Sequence, residues 1–88
     1  MTREVDPTKI AITWQEPAML QVGKLGLTEG LVKETLRLLK KHRYIKVRML
    51  RSSLEEDSKA SIIEELVTKC SATLAGIRGN TAVIYRLR

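Results

Sequence analysis

Two glycines three positions apart, in Gly23-Lys24-Leu25-Gly26, are the residues of this 88-residue chain whose types and spacing point most directly to chemistry. Glycine admits backbone angles that side chains forbid, and it lets another backbone come close. Lys24 adds a mobile positive charge inside the turn. Thr28 follows as an N-cap, its hydroxyl placed to accept a hydrogen bond from a first-turn amide. A helix opening there offers unpaired N–H groups and the positive end of its dipole to an anion. The chemistry is therefore non-covalent: capture of a phosphate. Paired glycines alone are a weak signal, because they often mark only a turn. The helix that follows strengthens it. Lys33, Arg37, Lys40 and Lys41 stand at i, i+4, i+7 and i+8, and so share one helical face.

A second pair, in Gly76-Ile77-Arg78-Gly79, reads mainly as architecture. Gly79 serves a turn, and Gly76 relieves a bulge or a crowded strand. Arg78 at the tip is still within reach of a phosphate. Other chemistries find no residues. Cys70 is the only cysteine, which leaves no internal disulfide and no cysteine-based zinc site. At helical spacing it falls on an apolar stripe and reads as a small core residue. There is no Walker loop, no HExxH and no cluster of histidines with acidic ligands. Glu55-Glu56-Asp57 precedes a helix and reads as partners of its dipole rather than as a metal site. One Cys and one His do not assemble a nucleophile, base and orienting group, so no enzyme and no cofactor are expected.

The charge has a direction. The chain carries 16 Lys+Arg against 10 Asp+Glu, net +6. Residues 33–51 hold eight basic side chains against Glu34 alone, whereas residues 52–68 hold five acidic ones against Lys59. A solvated surface more often mixes the signs. The pattern predicts a basic side that suits a polyanion. No apolar run is long enough for a membrane span, and the first residues lack the apolar stretch of a secretory signal, so the cytoplasm is the expected location.

The elements that must position these groups can be read in outline. Residues 9–14 fit either a short strand or one or two helical turns, stopped by Pro17, with Trp14 as an anchor for the N-terminal arm. A short buried strand is predicted over 18–22 and a helix from Thr28 to about His42, with Leu31, Val32, Thr35, Leu36, Leu38 and Leu39 on its apolar side. Residues 44–49 alternate, with Ile45, Val47 and Met49 facing one way and Tyr44, Lys46 and Arg48 the other. A second helix runs from Asp57 or Ser58 to about Cys70. Strands over 72–78 and 81–86 are joined by a Gly79-Asn80 turn. The fold class expected is α/β: a single small domain whose four-stranded mixed sheet is covered by two main helices. Residues 1–16 form an N-terminal arm and residues 17–88 the domain.

These residues together resemble a known family. The run from Leu20 through Val22-Gly23-Lys24-Leu25-Gly26-Leu27-Thr28 to Gly30, then Ile45-Lys46-Val47, then Gly79-Asn80-Thr81-Ala82-Val83-Ile84-Tyr85-Arg86 are similar to the CRM domain (chloroplast RNA splicing and ribosome maturation) in its stand-alone, YhbY-like form. The resemblance runs colinearly over roughly residues 17–88. It implies a fold like the C-terminal domain of translation initiation factor three, and it implies RNA binding, for bacterial single-domain members in connection with precursors of the large ribosomal subunit. Carried over by position, the family's Gly-x-x-Gly contact loop falls on Gly23, Lys24, Leu25 and Gly26, with a basic surface drawn from Lys33, Arg37, Lys40 and Lys41. One departure stands out: family members start with a longer helix, whereas Pro7 and Pro17 bracket only nine residues here.

The function expected is thus a non-enzymatic RNA-binding protein that grips ribosomal precursor RNA by its backbone, with Lys46, Arg48 and Arg78 at the margin of the contact. The competing class is an assembly module whose basic face docks on an acidic protein. Exposed sheet edges also leave room for a homodimer.

Overall fold

Asp6 and Pro7 start the first element. The Asp6 carboxylate accepts hydrogen bonds from the N–H groups of Thr8 (2.9 Å) and Lys9 (3.4 Å), and Pro7 occupies the first helical position, where no N–H is needed. The result is helix α1, Pro7–Gln15, closed at Glu16 before Pro17. Of the two readings left open by the sequence, the helical one is observed. The computed structural model describes residues 5–23, 27–49 and 56–87, the last without the side chains of residues 56–59. Lys24, Leu25, Gly26 and Glu55, and the side chains of Glu56 and Asp57, lie outside the described residues.

Strand β1 (Leu20–Val22) leads to helix α2 (Glu29–His42), strand β2 (Tyr44–Met49), helix α3 (Glu56–Cys70) and the hairpin of β3 (Thr73–Arg78) and β4 (Thr81–Tyr85). Thr28 caps α2 as expected, its Oγ1 accepting from the Leu31 N–H at 3.1 Å. At the hairpin, Gly79 has φ +59°, a left-handed conformation that favours glycine. The register shifts between Leu74 and Gly76, so the bulge expected near Gly76 is present.

The sheet is mixed, in the order β1-β2-β4-β3. β1 runs parallel to β2, while β4 pairs antiparallel with β2 on one side and β3 on the other. The last strand is therefore inserted between two earlier ones. Register sorts the side chains into two faces. Val22 is opposite Met49, Leu20 opposite Val47, Ile45 opposite Ile84, and Val47 opposite Ala82; all are buried on the face that meets α2 and α3. Leu39 from α2 and Ile63, Leu66 and Cys70 from α3 close this core.

The reverse face carries Tyr44, Lys46 and Arg48 from β2 and Thr81, Val83 and Tyr85 from β4. α1 lies over part of it, so the expected two helices on one face are joined by a third on the other. Tyr44 is buried, its ring stacked on Tyr85 with centroids 5.5 Å apart, and its hydroxyl accepts from the Asp6 N–H at 2.9 Å. Trp14 fits the space above Gly76, where a Cβ would sit 3.7 Å from Cζ2, an ordinary contact. Its expected role as the anchor of the N-terminal segment is what this packing describes. Lys46 also ties α1 to the sheet. Its Nζ donates to the carbonyls of Trp14 (2.9 Å) and Glu16 (3.1 Å), satisfying the C-terminal end of α1.

Truncating Ile84, which is wholly buried in the central strand, should cost about 2–5 kcal/mol in urea denaturation. Thr28→Ala, which removes only a cap, should cost about 1 kcal/mol in the same assay.

Candidate nucleic-acid interface

The charged face of α2 follows from its buried one. Thr35 and Leu39 are fully buried, with Leu31, Val32, Leu36 and Leu38 packed beside the core. Thr35, a polar residue in that position, is satisfied by donating from Oγ1 to the Leu31 carbonyl at 2.7 Å. The 3.6-residue repeat then leaves Lys33, Arg37, Lys40 and Lys41 exposed on the opposite side, as the sequence predicts. From Lys33 to Lys41 the stripe extends about 12 Å along the helix at 1.5 Å per residue.

The four cations are not equivalent. Arg37 is engaged by Glu34 one turn earlier, with Nε–Oε1 at 3.2 Å and Nη2–Oε2 at 2.6 Å. This hydrogen-bonded pair holds the Glu34 carboxyl below the usual carboxylate range and raises Arg37. Both side chains are exposed, so the pair contributes little to stability. Its consequence is local: one carboxylate competes for the stripe's arginine. Lys33, Lys40 and Lys41 have no ion-pair partner among the described residues. The stripe continues past the helix into Arg43, an exposed residue with φ +69° whose N–H closes α2 on the Leu39 carbonyl at 2.9 Å. With ψ −41° this is not the left-handed cap in which helix ends usually place glycine, so an arginine here is held at some backbone cost.

The other candidates gather at one end of the sheet. β1 and β2 run parallel, so both end on the side of the sheet where Gly23 follows β1. The hairpin reaches the same end, since Arg48 is opposite Thr81 and the Met49 N–H donates to the Asn80 carbonyl at 2.7 Å. Arg78 is exposed there, its guanidinium 4.4 Å from the Trp14 ring centroid, a cation–π contact. Gly23, Thr28 and Arg78 are thus brought to one end, and the Lys33-to-Lys41 stripe runs away from it. Glu29 occupies the first turn of α2, and beside it lies a hollow of about 440 Å³ that also includes Glu65 and Lys69. Glu29 stands four residues before Lys33 and so shares its side of the helix, placing a carboxylate at the head of the cationic stripe.

Chemistry of other kinds has little to work with. Cys70 is buried, its Sγ 4.0 Å from the Val32 carbonyl. Burial pushes its thiol up, against the opposing charge of Arg86. It is the core residue that its helical position predicts. Among the described residues no three His, Cys, Asp or Glu side chains are grouped to hold a metal, and no helix is long and apolar enough to cross a membrane.

Known proteins are similar to this chain in sequence and in fold. The family described as the CRS1/YhbY (CRM) domain matches residues 10–86. The Pseudomonas aeruginosa protein named "Probable RNA-binding protein PA4753" is 34% identical over 68 residues, which is 77% of this chain and 64% of that protein. The chain thus spans a little under two thirds of the length of that curated relative. The solution structure of SAV1595 from Staphylococcus aureus superposes with a TM-score of 0.75 at 28% identity, covering 86% of this chain and 77% of the other.

Because its thiol is buried and held protonated, Cys70 should resist iodoacetamide in the native protein near neutral pH and become alkylated only on unfolding in urea. Rapid stoichiometric labelling of the folded protein would contradict the burial.

Proposed function

The chain belongs to the CRS1/YhbY (CRM) domain family, and on that premise we propose that it is a non-enzymatic RNA-binding protein that grips its ligand mainly by the sugar–phosphate backbone. The observation that carries this reading is the outward face of α2, where Lys33, Arg37, Lys40 and Lys41 are exposed together while the opposite face is locked into the core. The name of the P. aeruginosa relative supports RNA as the polyanion. In this reading the turn of Gly23, Lys24, Leu25 and Gly26, with the first amides of α2 behind Thr28, holds one phosphate. The stripe tracks those that follow, and Arg78 reaches another from the hairpin. Ribosomal precursor RNA is the proposed ligand, following from the sequence resemblance, and the cytoplasm is the proposed location.

Fluorescence anisotropy with a labelled ribosomal RNA hairpin tests the proposal. With about five phosphates neutralised, log K should fall against log salt with a slope of roughly −3.5 to −4.5. Replacing Lys33, Arg37, Lys40 and Lys41 together by Glu should abolish binding while helical content by circular dichroism is retained. Undiminished affinity would refute the assignment, and the basic face would then be a surface for an acidic protein. Glu34→Gln should act in the opposite direction. Releasing Arg37 should tighten binding by roughly two- to fivefold, an advantage that fades as salt is raised. Lys24→Ala should weaken binding more than Lys59→Ala; equal effects would remove the glycine turn from the contact.

A further inference from the structure

α1 covers only part of the reverse face of the sheet. Beyond its C-terminal end the sheet is open, and register places one row of side chains across all four strands: Gln21 is opposite Arg48, Arg48 opposite Thr81, and Thr81 opposite Arg78. Adjacent strands lie about 4.8 Å apart, so the row spans roughly 14 Å. Gln21, Arg48 and Arg78 are exposed, and Arg48 has no acidic partner among the described residues. Within the row is a hollow of about 370 Å³ lined by Pro17, Ala18, Gln21, Lys46, Arg48 and Thr81. Its lining includes two cations, an amide and a hydroxyl, and no carboxylate.

We propose that this hollow is a binding site for one unpaired nucleotide of the bound RNA, distinct from the backbone grip along α2. The proposal rests on the RNA-binding reading above and adds to it a site that distinguishes single-stranded from paired RNA. Arg48 supplies a planar guanidinium suited to bidentate contact with a phosphate. Gln21 supplies both a donor and an acceptor, the pair needed to recognise a base edge, and only an unpaired base presents that edge freely. Lys46 is committed to the end of α1, so it forms the wall and contributes charge without leaving its carbonyls. Thr81 donates its hydroxyl proton to the Arg78 carbonyl at 2.9 Å, leaving the oxygen free to accept. At the end of the row, Arg78 is held against Trp14, and an exposed guanidinium plane is a stacking surface for the neighbouring base. Gln21 is two residues before Gly23, so a strand seated here lies next to the first glycine of the Gly-x-x-Gly motif.

The experiment compares two fluorescein-labelled RNAs, a blunt hairpin and the same hairpin with a six-nucleotide 3′ single-stranded tail. The wild-type protein should bind the tailed RNA about tenfold more tightly. Gln21→Ala, at an exposed position outside the backbone grip, should remove most of that preference while leaving affinity for the blunt hairpin unchanged and the urea midpoint unmoved; Arg48→Ala should remove most of the preference as well, with a loss of no more than about twofold on the blunt hairpin, as befits a residue at the margin of that contact. Arg48→Ala should also reduce the salt slope for the tailed RNA by about 0.7, whereas Gln21→Ala should leave it as it is. If the wild type does not prefer the tail, or if both variants keep the preference, the site is overturned and the α2 grip stands. If the wild type binds neither RNA, the RNA-binding reading fails and the site fails with it.

Discussion

The apolar side of α2 fixes where this protein's charge can go. Leu39 and Thr35 are fully buried over β2, and the helical repeat then leaves the lysines of the opposite side no direction but outward. The core and the cationic surface are therefore two consequences of one amphipathic helix. A substitution that rotated α2 by even a quarter turn would expose Leu39 and drive a lysine toward Ile45 and Ile63. In a chain of 88 residues the core is small. The same few apolar contacts that stabilise the fold also hold the charged stripe in register with the end of the sheet.

The reverse face follows a different logic. It is sealed by a nine-residue helix whose ends are each tied to β2: the Asp6 N–H to the Tyr44 hydroxyl, and the Trp14 and Glu16 carbonyls to Lys46. A short helix has little stability of its own. These contacts, with Trp14 packed over Gly76, supply from the sheet what the helix lacks in length. The cost is coverage, since nine residues do not reach across the sheet and the row from Gln21 to Arg78 remains open.

Local patterns made much of this legible in the sequence. Alternation from Tyr44 to Met49, the Thr28 cap, the stripe on α2 and the Gly79-Asn80 turn are all features written in neighbouring residues, and each is observed. The first helix was marked too, by Asp6-Pro7, a strong start signal that the ambiguous Ile10-Ala11-Ile12 stretch obscures. The contacts of Lys46 were not legible, because its partners are carbonyls about thirty residues away, on an element whose position over the sheet has no local signature. The juxtaposition of Gln21, Arg48, Thr81 and Arg78 was illegible for the same reason. Each residue's face can be read from its own strand, but their alignment depends on a strand order that pairing alone decides.

That strand order also constrains how the chain is made. β4 follows both β2 and β3 in the chain and is the neighbour of both, and among the described residues β3 has no other. Until residues 81–85 are available, the nascent polypeptide has a sheet with a gap at its middle and Ile45 facing no partner across it. The earlier segments can collapse but cannot lock together. Closure of the sheet thereby waits for β4, one hydrophobic strand that enters between two segments made before it.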